Sequence, residues 1–172
     1  ENNVVAKVRP RGSAYAVCDP AAQQWSPWQL LELPDEPRFE NAGAGCVQRV
    51  DLEDGTLLLP IYFKEPGEVA YSTTVLRCAF DGTTLRYLGH GDVLHLPIKR
   101  GFCEPSLVRW GGRFFLTLRN DERGYVAVSE DGSHFSEPVP WAFEDGEDLG
   151  NYNTQQHWVA HREALLLVYT RR

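Results

Sequence analysis

The chain has 172 residues, 42% of them apolar and 12% aromatic, which is enough for a domain with a hydrophobic core. Its formal net charge is −7 and its 17 basic residues are scattered, which argues against nucleic acid as a partner. It contains no apolar run of about eighteen residues, so no membrane span is predicted.

Short strands between turn signals are predicted along the whole chain, and no window keeps helical apolar spacing over about three turns. The segment 1–39 contains two strands, SAYAVCD and WQLLEL, and the segment 144–172 contains TQQHWVAH and LLLVYTR. Segments 40–97 and 98–143 each contain four strands, with a tight turn between the first two and an Asp-Gly turn between the last two. The sequence therefore predicts an all-β chain of repeated antiparallel units.

The repeat has a nearly constant length. The second strands follow the turns Asp54-Gly55, Gly111-Gly112 and Glu163-Ala164, so the units recur after 57 and 52 residues. A period near 50 residues indicates a solenoid or a propeller, and four-stranded sheets repeated around an axis are β-propeller blades. A β-sandwich of short strands is the alternative, but a sandwich requires no period.

We therefore predict one segment of a β-propeller, with a half blade at 1–39, blades at 40–97 and 98–143, and a half blade at 144–172. Propellers contain about four to eight blades, so we expect the chain to be a piece of a longer protein. The remaining blades of the same propeller would then be its structural partners.

The hairpin 102–119, FCEPSLVRWGGRFFLTLR, contains the best candidate for a site. Glu104 begins its first strand and Arg119 ends its second, and an antiparallel pair brings these ends together. An arginine fork can bind a carboxylate through two hydrogen bonds. The alternative is a structural salt bridge between neighbouring strands.

The repeat extends the candidate site to other blades. Counted from the three turns, Tyr62 and Arg171 occupy the position of Arg119. Tyr62 is predicted to line the pocket or to pack at its rim, and Arg171 to bind a second carboxylate or to end a solvated strand.

The last half blade begins with amide and aromatic side chains that are typical of a sugar-binding wall. Amides hydrogen-bond to sugar hydroxyls, and indole faces stack on pyranose rings. Gln156 occupies the position of Glu104 in the repeat, whereas His157 is out of phase and is expected to be structural. A polar, hydrogen-bonded loop is the alternative. The predicted sugar-binding residues of this segment are Asn153, Gln155, Gln156 and Trp158.

Four stretches resemble the bacterial-type sialidases. SEDGSHF (129–135) resembles their Ser-x-Asp-x-Gly-x-Thr-Trp turn, the Asp-box, although it is one residue short and has Phe135 in place of Trp; AFDGTTL (79–85) is a weaker copy. EPSLVRWGGRFFLTLR (104–119) resembles the sialidase blade in which Glu-Pro begins an inner strand and Arg ends the next. The tail from 148 onward is similar to a stretch of sialidase-like proteins.

This resemblance implies a six-bladed propeller and a retaining exo-glycoside hydrolase that releases a terminal acidic sugar from glycans. By the same resemblance, Glu104 would be catalytic as the partner of a tyrosine nucleophile, and Arg119 would hold the substrate carboxylate. The family's Arg-Ile-Pro motif, its tyrosine and its acid/base aspartate are not identified in this chain. The alternatives are a non-catalytic carbohydrate-binding propeller, or a hydrolase or lyase of a neutral sugar or polysaccharide.

Metals and cofactors are not predicted. The four cysteines include no CxxC pair, and we expect them to be free and buried, with disulfides as the alternative in an exported protein. The acidic stretch 144–148 lacks the spacing of a calcium loop and is predicted to be solvated. We expect no signal peptide in this segment, although an extracellular or periplasmic location is favoured.

Overall fold

The computed structural model describes residues 11–150 and 154–171 as an all-β structure with one 3₁₀ helix, Pro37–Glu40. None of its helices is long and apolar enough to cross a membrane, within these two ranges. The strands in chain order are β1 Ala14–Tyr15, β2 Cys18–Asp19, β3 Gln24–Trp25, β4 Gln29–Leu30, β5 Ala42–Gly43, β6 Val50–Asp51, β7 Thr56–Phe63, β8 Ser72–Phe80, β9 Leu85–His90, β10 Leu94–His95, β11 Cys103–Trp110, β12 Arg113–Arg119, β13 Tyr125–Ser129, β14 Val139–Pro140, β15 Gln156–His161 and β16 Ala164–Tyr169.

The strands form antiparallel sheets that follow one another along the chain. β1 pairs with β4 and β2 with β3 in the first segment. In the next sheet β7 and β8 are central, with β5 and β6 on one side and β9 and β10 on the other. The following sheet has the order β11-β12-β13-β14, and β15 pairs with β16 in the last. The sheet of β11–β14 is thus a meander, in which each strand pairs with its neighbour in sequence.

The sheets pack face to face, and the sequence of the central strands explains why. β7 (TLLLPIYF) and β8 (STTVLRCAF) are rich in apolar and β-branched residues, and residues on both of their faces are buried. Leu58 and Val75 pack in one cluster with Leu107 and Leu116 of the next sheet. Ile61, on the opposite face, packs with residues that include Leu31 and Phe39 of the first segment.

Gln48, which lies between β5 and β6, meets the first strands of the next two sheets, β11 and β15, along one common edge. The amide of Leu107 in β11 donates to the carbonyl of Gln48, at 3.0 Å. The side chain of Gln48 then reaches the last sheet, where its Nε2 donates to the carbonyl of Trp158 (3.2 Å) and its Oε1 accepts from the amide of Trp158 (3.0 Å). The edges of three sheets are therefore joined by backbone and amide hydrogen bonds.

The turn 129–135 lies at the end of its sheet opposite Arg119, because Ser129 pairs with Phe114 while Arg119 is five residues further along β12, about 17 Å away. Asp131 Oδ1 accepts from the amides of Ser133 and His134, each at 2.8 Å. These bonds and the His134 side chain hold the pKa of Asp131 well below its usual range. The carboxylate therefore stabilises the turn in its charged form.

The same turn joins its sheet to the preceding one. The amide of Asp92 donates to the carbonyl of Ser133 at 2.8 Å, and Asp92 Oδ2 accepts from the amide of Phe135 at 3.0 Å. Gly91 is needed there, because a Cβ would lie 2.3 Å from the carbonyl oxygen of Ser133.

The turn 79–85 repeats this arrangement one sheet earlier. Asp81 Oδ1 accepts from the amides of Thr83 and Thr84, at 3.1 and 2.9 Å. Gln29 Nε2 donates to the carbonyl of Thr83 (3.3 Å), and Tyr15 Oη accepts from the amide of Leu85 (2.9 Å). Both Asp-Gly turns are therefore hydrogen-bonded to the preceding sheet.

Replacing Asp131 with alanine is expected to lower the free energy of unfolding by about 1–2 kcal/mol, because two amides of the turn lose a charged acceptor. Chemical denaturation of the two proteins measures the difference. Asp145→Ala is the matched control, since Asp145 accepts from a single amide in the described part of the chain, that of Glu147. Ligand affinity of the folded Asp131→Ala protein should not change, and a selective loss of affinity at unchanged stability would contradict a purely structural role.

Candidate functional site around Glu104 and Arg119

Glu104 lies in a bulge at the start of β11. Cys103 pairs with Arg119 and Ser106 with Thr117, so Glu104 and Pro105 together stand opposite one residue. Pro105 has no amide hydrogen for the ladder, which favours a bulge at this point. Glu104 itself has a φ of +47°, a conformation that residues other than glycine rarely adopt and that costs about 1 kcal/mol or more. The backbone of β11 is thus distorted at Glu104, the residue that carries the carboxylate.

Glu104 and Arg119 form an ion pair, with 2.8 Å between Oε1 and Nη1. The side chains are only 17% and 13% exposed, so the pair is far better shielded from solvent than an ordinary surface pair. The second carboxylate oxygen of Glu104, Oε2, is buried and has no hydrogen-bond partner among the residues that the structure describes. A buried carboxylate oxygen of this kind can accept a hydrogen bond from a group brought to it.

Two further charged groups hold the arginine in position. Asp121 Oδ1 lies 3.5 Å from Nη2 of Arg119. Arg100 in turn donates two hydrogen bonds to Asp121, of 2.7 and 2.8 Å. The hydrogen bonds from Arg100 hold the pKa of Asp121 below its usual value, so this carboxylate stays charged beside Arg119. Charges of alternating sign therefore run from Arg100 to Glu104.

The ion pair lines a cavity of about 480 Å³ between the last two sheets, which is open to solvent. Gln155 and His157 line it from the start of the last sheet, and Thr170 from the end of its second strand. Its walls thus carry a cation, an acceptor carboxylate, an amide and an imidazole, a combination suited to a polar and negatively charged ligand.

No family model matches the chain, and no curated protein matches it in sequence. Solved structures do match. Trypanosoma rangeli sialidase in complex with the inhibitor DANA has a TM-score of 0.57 and 17% identity, over 94% of this chain and 28% of that one. A second structure of Trypanosoma rangeli sialidase, and one of its complex with sialic acid, each have a TM-score of 0.53 and 16% identity, over 90% of this chain and 26% of that one.

The fold resembles part of a sialidase. At 16–17% identity the likeness extends to the fold alone, and the chain spans about a quarter of the length of these sialidases. The prediction of an all-β, sialidase-like fold is confirmed at this level.

Within this sialidase-like fold, two of the residues predicted to form the sugar-binding wall do not face the cavity. Gln156 is 1% exposed, and its Oε1 accepts from the hydroxyl of Thr117 between two sheets. Trp158 is also buried, where it packs against Trp141 and donates from Nε1 to the carbonyl of Ser106. We expected Gln156 to share the position of Glu104. Instead Gln155 lines the cavity with Glu104, and strand alternation turns Gln156 to the opposite face.

The prediction for Arg171 needs a correction of one residue. His161 pairs with Ala164, so the turn is Arg162–Glu163 and Ala164 is the first residue of β16. Thr170, not Arg171, is then the seventh residue from the turn, as Arg119 is in β12. A shift of one residue reverses the side chain, and Arg171 instead pairs with Glu147 at 2.9 Å. Asn153 lies outside the described residues.

Tyr62 lines a second cavity, of about 320 Å³, together with Arg11. The guanidinium of Arg11 lies 5.1 Å from the centre of the Tyr62 ring and 5.6 Å from that of Tyr71. Burial raises the pKa of Tyr62, and the charge of Glu104 adds to the rise, so the two sites lie within electrostatic reach of each other. Arg11 was not a candidate from the sequence, since nothing there places it beside Tyr62.

The cysteines are free, but only two of them are buried, in contrast to the expectation for all four. Cys18 and Cys46 are exposed, whereas Cys78 and Cys103 are buried. Burial raises the pKa of the Cys103 thiol to about 11, so it is neutral at physiological pH beside Glu104. In the described part of the chain, no three His, Cys, Asp or Glu side chains are grouped as metal ligands.

Proposed function

We propose that this chain is part of a sialidase-like exo-glycoside hydrolase that releases a terminal acidic sugar from glycans. The observation that carries the proposal is the shielded Glu104–Arg119 pair, with a buried Glu104 oxygen left to accept a hydrogen bond at an open cavity. The sialidase-like fold supports it. An extracellular or periplasmic location would fit such a substrate.

The sheets are the proposed blades of a six-bladed propeller. The two complete blades would be the sheet of β5–β10 and the sheet of β11–β14. The first segment and the β15–β16 hairpin would be half blades, and the turns 79–85 and 129–135 would be Asp-boxes. The common edge at Gln48, Leu107 and Trp158 would then lie near the propeller axis. Val159 and Leu166 leave an exposed apolar face on the last sheet, which a following blade would cover.

In this proposal, Arg119 binds the carboxylate of the sugar through its planar fork, and Glu104 accepts a hydrogen bond from a tyrosine nucleophile. An aryl hydroxyl is a neutral nucleophile, so it approaches a negatively charged sugar without the repulsion that a carboxylate would meet. The tyrosine, the acid/base carboxylate and further arginines would come from other blades. Gln155 would hydrogen-bond to a sugar hydroxyl at the cavity wall.

The proposal predicts that Arg119→Lys in the complete protein weakens binding of sialic acid by about tenfold to a hundredfold. Lysine keeps the charge but cannot form two parallel hydrogen bonds to a carboxylate. Arg109→Lys is the matched control on the neighbouring strand, where Arg109 is exposed and pairs with Glu53 at 3.6 Å. Calorimetric titration with sialic acid and with a neutral sugar measures both effects.

Equal weakening for both sugars would argue against a carboxylate-binding role for Arg119. Binding without any turnover of sialosides by the complete protein would instead favour the non-catalytic carbohydrate-binding propeller. A protein that binds and cleaves only neutral glycans would favour a hydrolase or lyase of a different class.

A further inference from the structure

His157 and Ser106 form a hydrogen-bonded pair at the wall of the Glu104–Arg119 cavity. His157 Nδ1 lies 3.0 Å from Ser106 Oγ, and the imidazole lines the cavity. Ser106 is in β11, two residues from Glu104, and is 0% exposed. The pair therefore links the strand of Glu104 to the first strand of the next sheet.

The burial of Ser106 determines which nitrogen of His157 carries the proton. A buried hydroxyl that does not donate a hydrogen bond is unfavourable, because water cannot replace the missing acceptor. His157 Nδ1 is the hydrogen-bond partner that the described residues offer to this hydroxyl. The Ser106 hydroxyl therefore donates to Nδ1, which must be the unprotonated nitrogen of a neutral imidazole.

The other ring nitrogen, Nε2, then carries the hydrogen and is a donor. No described residue accepts a hydrogen bond from Nε2, and the half-buried ring borders the open cavity. The fixed tautomer thus leaves one oriented N–H group for a ligand.

We propose that His157 is a substrate-binding residue, whose Nε2–H donates to an oxygen of the acidic sugar held at Arg119. The inference rests on the proposed function for the class of ligand, but the tautomer follows from the Ser106 contact alone. Ser106 acts as a positioning residue, because it fixes the direction in which His157 donates without touching the sugar itself.

The tautomer is tested without any ligand. Long-range ¹⁵N–¹H correlation spectra of the histidine-labelled protein at a pH where the ring is neutral should show the hydrogen of His157 on Nε2. Ser106→Ala should convert this signal to a mixture of the two tautomers. A hydrogen on Nδ1 in the unmodified protein would overturn the proposal.

Binding of sialic acid to the complete protein tests the role. His157→Phe should weaken binding by about tenfold, the loss of roughly one hydrogen bond, whereas His157→Gln should stay within about threefold because its amide can donate from a similar place. Circular dichroism and thermal melting confirm that each variant is folded.

The outcomes separate the inference from the proposed function. If the unmodified protein binds sialic acid and both His157 variants bind it equally well, the role of His157 is wrong and the proposed function stands. If His157→Gln loses as much affinity as His157→Phe, donation from Nε2 is wrong. If the unmodified protein does not bind sialic acid at all, the proposed function fails, and with it the role in binding, while the tautomer result remains.

Discussion

Glu104→Gln in the complete protein is expected to lower kcat for release of a terminal acidic sugar by about 10³-fold, with a change of less than about threefold in Kd. Glutamine keeps the oxygen that faces Arg119, so the guanidinium stays in place. The amide nitrogen then stands in the place of Oε2, and an NH2 group donates hydrogen bonds, so it cannot draw the proton from a nucleophilic hydroxyl. Steady-state kinetics with an aryl sialoside, together with a direct binding titration, separates the two effects.

Glu163→Gln provides the control for this experiment, because Glu163 is an exposed residue of the β15–β16 turn. Among the described residues, its carboxylate forms an ion pair only with its neighbour Arg162, at 3.2 Å. Its kinetics should match those of the unmodified protein. If Glu104→Gln retained full turnover, Glu104 would be a structural partner of Arg119 and the catalytic assignment would be wrong.

Gly101→Ala is expected to destabilise the fold by about 3–5 kcal/mol, enough to abolish a marginal fold. Gly101 has a φ of +73°, and a Cβ would lie 2.2 Å from the carbonyl oxygen of Tyr71 and 2.6 Å from its nitrogen. The clash falls where two sheets are joined, since Tyr71 bonds to Arg100 at 2.7 Å and to Phe102 at 2.9 Å. Equilibrium denaturation in urea measures the loss.

The matched control is Gly111→Ala in the β11–β12 turn. Gly111 also has a positive φ, of +58°, but a Cβ there would meet no atom within 4 Å. Gly111→Ala should therefore lower the free energy of unfolding by only about 1 kcal/mol, the cost of placing alanine in a backbone of positive φ. Similar losses of unfolding free energy for the two variants would contradict the steric requirement for glycine where Gly101 approaches Tyr71.

The strand pattern and the central ion pair could be predicted from sequence because they depend on local features. Gly111-Gly112 places two apolar runs in one hairpin, and an antiparallel hairpin brings Glu104 to Arg119 whatever surrounds it. The bulge at Pro105 is a local feature as well, although its effect on the backbone of Glu104 requires coordinates.

The faces of the last hairpin could not be predicted, because they depend on a register that no glycine or proline defines. Its turn is Arg162–Glu163, and taking Glu163–Ala164 instead moves every side chain to the opposite face. That single step exchanges Thr170 for Arg171 at the cavity. It also explains why His157, which was expected to be structural, lines the cavity while Gln156 is buried.

Contacts between distant segments likewise could not be predicted from the sequence. Arg11 stacks on Tyr62, which is 51 residues away, and Gln48 bonds to the backbone of Trp158, 110 residues away. Neither pair carries a spacing that a local pattern could reveal, since they are brought together only by packing of whole sheets.

A crystal structure of the complete protein with sialic acid would show whether Arg119 and Glu104 form the sugar site. We expect the sugar carboxylate to lie on the guanidinium of Arg119, with two contacts of about 2.7–3.2 Å, and Glu104 Oε2 to accept from a hydroxyl beside the anomeric carbon. Sialic acid bound away from this cavity, with no contact to Arg119, would contradict the proposed site.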